Sequence, residues 1–201
     1  VLGGTSLGAN TTLEAASQDQ SRVQGMLLEM PVLDNGLLGC AIGFTPLLIS
    51  LTFGAPVTRT WSRAMRLVPR RGPLLGQMFL DWMSQDPKPS ASLLQGLFFG
   101  RVAPPREERR TLRPPALVIG HPRDPIHPFS DADMLVHELP NAKMVLASSI
   151  LELRIDPERL TTEIVAFVDD CWGTRPAKRR RPQGAPANGH RQRERATRRP
   201  A

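Results

Sequence analysis

Short, uninterrupted apolar runs recur along this chain, separated by stretches with helical periodicity. Val1-Leu2 runs into glycines, Met26-Leu27-Leu28-Glu29-Met30 is stopped by Pro31, and Ala116-Leu117-Val118-Ile119-Gly120 and Lys143-Met144-Val145-Leu146-Ala147 follow later. Runs of four or five bounded by glycine, proline or polar residues read as buried strands. Between the first two, Leu7 to about Gln18 reads as a helix with Leu13 and Ala16 facing a sheet. Strand, helix and strand joined by short connections make a βαβ unit, which implies parallel pairing. A further helix is expected over about Phe129–Leu139, then a turn at Pro140-Asn141-Ala142. A last helix follows, with Asp156 as N-cap, Pro157 at its first position and apolar residues Leu160, Ile164, Phe167, Val168 and Cys171.

The middle of the chain has another pattern. Residues 37–44 and 46–53 are apolar and helix-like, and no charge appears between Asp34 and Arg59. That raises the question of a membrane span. Pro46 and four glycines (Gly36, Gly39, Gly43, Gly54) argue against a continuous hydrophobic helix, so no span is favoured. Helices are expected at about Thr58–Leu67, Pro73–Gln85 and Ser90–Phe99, before a polar, proline-rich return from Ala103 to Pro115.

Composition changes this picture in two places. The net charge of +7 belongs to the end of the chain. Residues 173–201 hold ten Lys or Arg against Glu194, a balance of +9, whereas residues 1–172 balance at −2. This Arg-rich tail has no apolar periodicity and is expected to be disordered. It reads either as a solvated extension or as a segment making weak polyanion contact. Cys40 and Cys171, far apart and outside any C-x-x-C spacing, read as free thiols of a reducing, cytoplasmic setting. Nothing in the pattern calls for a cofactor or a metal.

The candidate chemistry opens the chain. Gly4-Thr5-Ser6-Leu7-Gly8 lies between an apolar run and a helix, a G-x-S-x-G nucleophile elbow that lifts a serine Oγ above a sheet edge. Side chains at both glycines are expected to collide across the turn. Here the sequence resembles the serine-nucleophile branch of the α/β-hydrolase family, from the elbow onward over residues 1 to about 172. The resemblance implies an α/β fold with parallel strands five to eight of the family's sheet. It places a helical cap at about 32–113 and an apolar pocket for an acyl or ester substrate beneath it. It also implies that the chain is the carboxyl-terminal half of a longer fold, so that the first strand forms an unpaired edge.

By the same resemblance Ser6 stands at the nucleophile and the backbone N–H of Leu7 at one oxyanion donor. Asp124, in a loop that closes four residues later on Pro128, stands at the acid. The second oxyanion donor belongs to a loop earlier than residue 1 in the family's order. The family's histidine should follow the last strand, where this sequence has Ile150, which cannot accept a proton. His127 is left as a candidate base from the neighbouring loop, or a histidine at a helix entry, and Glu152 as a weak carboxylate base. A serine at the elbow argues against the family's aspartate-nucleophile branches. Three functions stand: a serine hydrolase, a non-catalytic binder of a small hydrophobic ligand, and an interaction protein using the tail.

Overall fold

The computed structural model describes residues 1–124 and 126–173, so the expected basic tail lies, from residue 174 on, outside the described residues. Strand β1 (Leu2–Thr5) leads through Ser6 into helix α1 (Leu7–Gln18), and a 3-10 turn at Gln20–Arg22 returns the chain to β2 (Met26–Glu29). Five helices follow: α2 (Gly36–Phe53), α3 (Ala55–Leu67), α4 (Leu74–Met83), α5 (Pro87–Phe99) and the short α6 (Arg106–Arg109). Then come β3 (Ala116–Gly120), α7 (Phe129–Glu138), β4 (Ala142–Leu146), the one-turn α8 (Glu152–Ile155) and α9 (Glu158–Trp172).

All four strands are parallel, in the order β1-β2-β3-β4, with Leu2 opposite Met26, Met26 opposite Ala116, and Ala116 opposite Ala142. Both faces of β3 are covered, which explains its unbroken apolar run. Ala116 and Val118 pack with Met26 and Leu28 against Leu13 and Ala16 of α1 and Leu135 of α7. Leu117 and Ile119 point the other way, against Val145, Leu160 and the partly buried Ile164 and Phe167 of α9. Strand β1 is an edge, with β2 as its one partner among the described residues.

The helices between β2 and β3 have a core of their own. Cys40 of α2 packs with Leu94 and Leu97 of α5 and with Val32, and Phe44, Leu47 and Leu51 lie against them. The expectation that glycine and Pro46 would break the apolar stretch is overturned: α2 is one helix of 18 residues with Pro46 inside it. A helical proline costs a hydrogen bond and crowds the preceding turn, and here packing against α5 outweighs that cost. α2 is long and apolar enough to cross a membrane by length and composition, with mean hydropathy 1.8.

A buried asparagine fastens this insertion at both ends. Asn10 of α1 donates through Nδ2 to the Val32 carbonyl, at 2.6 Å, and to the Val102 carbonyl, at 2.9 Å. Its Oδ1 accepts from the Val32 N–H. At the end of the sheet, Asp156 caps the carboxyl end of α8, with its N–H on the Glu152 carbonyl. It is therefore not the side-chain N-cap of the last helix, which begins one residue after Pro157 without such a cap.

Candidate active site

Ser6 sits between β1 and α1 at φ 55° and ψ −118°, a backbone region that L-residues avoid. The strain is held by the ends of the turn. The Ser6 N–H donates to the Glu29 carbonyl at 2.8 Å, and the Ser6 carbonyl accepts from Ala9 N–H as α1 begins. A side chain at Gly4 would place its Cβ 2.4 Å from the Gly8 carbonyl carbon, so the strand-to-helix crossing requires glycine there. The collision is one-sided, contrary to expectation, because a Cβ on Gly8 meets nothing within 4 Å. Gly4→Ala is therefore expected to lose at least about 2 kcal/mol through overpacking. Gly8→Ala should be neutral or stabilising by up to about 1 kcal/mol, because its Cβ would enter open space on a helical turn. Urea unfolding of the two variants checks the pair, and equal losses would refute the one-sided crossing.

The loop after β3 meets Ser6 from across the sheet edge. Ser6 Oγ lies 2.8 Å from His127 Nε2, and His127 Nδ1 lies 2.8 Å from Asp124 Oδ2. The other carboxylate oxygen, Oδ1, accepts the backbone N–H groups of Ile126 and His127 at 2.8 and 2.9 Å. Burial pushes the Asp124 carboxyl up, but these two N–H groups and the His127 ring outweigh it and hold it below the ordinary carboxylate value. An ionised carboxylate only accepts, so Nδ1 carries the ring proton and Nε2 is left to accept from the Ser6 hydroxyl. Such a chain can take a proton from Oγ as the oxygen attacks and stabilise the imidazolium that results. Leu7, the first residue of α1, has its N–H at a helix amino end, where no intrahelical carbonyl reaches it and negative charge is favoured.

The other sequence candidates lie elsewhere. Ile150 lines a separate cavity of about 600 Å³ with His121, Arg123 and Ser149. Glu152 is not poised as a base. Arg159 above all, and then the backbone and hydroxyl of Ser148, hold its carboxyl at about 2. The two cysteines are free thiols.

Against Ser6 and Leu7 opens a cavity of about 530 Å³, walled by Cys40, Phe44, Leu47, Trp82 and Leu94. Burial chiefly, and then the charges of Asp131 and Asp124, push the Cys40 thiol up. That leaves it a small apolar wall rather than a nucleophile. The sequence reading placed an apolar pocket here but did not single out these wall residues, whose spacing is that of any core helix.

Beneath the elbow, Glu29 is 2% exposed and takes the Thr5 hydroxyl at 2.5 Å, with Arg154 bidentate on both its oxygens. His121 Nε2 lies 3.4 Å from it, beyond a normal hydrogen bond. Burial pushes the Glu29 carboxyl up, but His121, Arg154 and Thr5 together hold it at about 2, against an ordinary 4.5. A depressed folded-state value gives stability that is complete above about pH 4.5 and lost as pH falls toward 2. Glu29→Gln should remove on the order of 3 kcal/mol of that acid loss. Glu152 titrates in the same window, so the difference between wild-type and variant stability curves is the measurement. Parallel curves from pH 2 to 5 would refute it.

No protein-family model and no curated protein matches the sequence. Solved structures do match the architecture. A thermophilic esterase from Thermogutta terrifontis superposes with TM-score 0.60 at 17% identity, over 84% of this chain and 64% of that one. The enol-lactonase from Burkholderia xenovorans LB400 gives 0.58 at 18% identity, over 83% and 64%. MenH from S. aureus gives 0.57 at 16% identity, over 85% and 68%.

The chain has a partial α/β-hydrolase fold. It spans about two thirds of the length of these α/β-hydrolase-fold structures. Within that fold the serine elbow occupies the β1–α1 turn, the helical insertion lies between β2 and β3, and the Asp124–His127 loop follows β3.

Proposed function

We propose that the chain carries the catalytic centre of a serine hydrolase acting on an ester-like or other acyl substrate. The observation behind it is the continuous hydrogen-bonded line from Ser6 Oγ through His127 to Asp124, beside an apolar cavity. In this reading Ser6 is the nucleophile, His127 the general base, Asp124 the group that fixes its tautomer, and Leu7 N–H an oxyanion donor. Helices α2–α5 act as a cap whose underside holds the acyl group. Ser6 Oγ attacks the acyl carbonyl carbon and its proton passes to Nε2. The alkoxide or amine then leaves, taking that proton, and water hydrolyses the acyl-enzyme with the same base.

A fluorophosphonate probe tests this directly. One phosphonyl group on Ser6, located by peptide mass, is the expected result, with none on Ser6→Ala or on unfolded protein. No labelling of Ser6 in native protein would remove the hydrolase reading. It would favour a non-catalytic binder of a hydrophobic ligand, which the same cavity fits.

A further inference from the structure

The helical insertion turns an apolar face outward as well as inward. On α2, Leu38, Ile42, Ile49 and Phe53 recur at four, seven and four residues, one stripe of the helix. Three of them are 71–83% exposed. Across the Gly54 junction the stripe continues at four-residue steps to Val57, 74% exposed, and Trp61, 55% exposed, on α3. Soluble surfaces seldom gather this many large apolar side chains in sequence order. Trp61 also borders a small cleft with Leu47, Leu51 and Trp82, and Trp82 walls the cavity beside Ser6. The exposed stripe and the site's cavity are therefore neighbours.

Charge decides the occupant. Residues 36–100 carry six basic groups, five of them arginines between Arg59 and Arg71, against Asp81 and Asp86 alone. Asp81 is already paired with Arg70 at 3.0 Å. On α3 the arginines Arg59, Arg63 and Arg66 lie on the side opposite Val57 and Trp61. An apolar face with Trp and Phe backed by arginines is the composition of a helix lying in a membrane interface. The polar, Arg-rich residues 173–201 offer no apolar periodicity to fill the stripe. A transmembrane course for α2 would pull Cys40, Phe44 and Leu47 out of the core they form with α5.

We propose that the α2–α3 face docks on the interface of an anionic phospholipid bilayer, with Phe53, Val57 and Trp61 entering the acyl-chain boundary. The proposal does not depend on the hydrolase reading, since neither docking nor its test requires Ser6 to react. It would bring the mouth of the cavity to the lipid surface.

The full chain with Trp61 as its one tryptophan (Trp82→Phe, Trp172→Phe), its fold checked by circular dichroism, is mixed with phosphatidylcholine vesicles with and without phosphatidylglycerol. Salt-sensitive binding to the anionic vesicles is expected, with Trp61 fluorescence quenched by brominated acyl chains. In the otherwise wild-type chain, Phe53→Ser with Val57→Ser, both at exposed positions, should weaken binding more than ~10-fold. The proposal is overturned by absence of binding, or by binding without quenching that the double serine variant leaves unchanged, the mark of the basic tail. Retention through alkaline extraction, the mark of a span, would overturn it too. So would self-association that buries Trp61 without lipid.

Discussion

His127→Ala is expected, on the proposed hydrolase reading, to lower turnover of an activated ester about 10⁴–10⁶-fold, to the level of Ser6→Ala, because members of a triad fail as a unit. The expectation rests on one arrangement. Nε2 lies 2.8 Å from the Ser6 hydroxyl, and among the described residues the remaining histidines do not contact Ser6: His121 contacts Ser149 and Glu29, and His137 contacts Asp133. Asp124→Asn should cost about 10⁴-fold by favouring the wrong ring tautomer while keeping the loop's shape. Single-turnover kinetics with a nitrophenyl ester measures both. A His127→Ala variant within tenfold of wild type would mean that the 2.8 Å contact is incidental. Residual activity equal in His127→Ala and Ser6→Ala is the signature of a shared step.

Asp131→Ala should destabilise the fold by about 3–5 kcal/mol, the largest stability loss expected of any single change described above. Asp131 is fully buried on α7, yet its carboxylate serves the start of α2. Oδ2 accepts from Leu33 and Gly36 N–H at 2.7 and 2.8 Å, and Oδ1 accepts from Asn35 N–H and Nδ2 at 3.0 and 2.9 Å. Alanine would leave the buried Leu33 N–H and the Asn35 N–H without this acceptor, while Gly36 N–H keeps only the Leu33 carbonyl at 3.1 Å. It would also remove a negative charge from the amino end of an apolar helix. Asp131→Asn keeps the size but turns a donor toward donors, so it should recover little. Urea unfolding of the two variants is the check, and a loss below about 1 kcal/mol would show that the turn holds itself.

These two cases mark where the sequence could be read and where it could not. Strand and helix positions were legible because β3 is buried on both faces and α1 on one, so period and breakers carry the information. Pro46 misled because its cost is local, whereas the packing of Phe44, Leu47 and Leu51 is tertiary. Ser6 and Asp124 stand in recognisable turns, and the structure brings both to one place. His127 was visible only as a candidate, because reach depends on how the β3 loop folds back and no spacing rule encodes that. Asn10 and Asp131 gave no signal at all. Their partners are almost all backbone atoms 22 to 98 residues away, and a backbone N–H or carbonyl looks the same at every position.

The three-residue separation of Asp124 and His127 has a further consequence for motion. Asp124 and His127 share one loop, and that loop's own amides clasp the carboxylate. A fluctuation that carries the loop away from the sheet is expected to stretch the Ser6–His127 contact first, because the His127–Asp124 contact lies within the loop. In the proposed hydrolase the hydrogen-bonded line then has one adjustable joint, at the serine, and opening and reclosing there is expected to leave the imidazole's tautomer and aim in place.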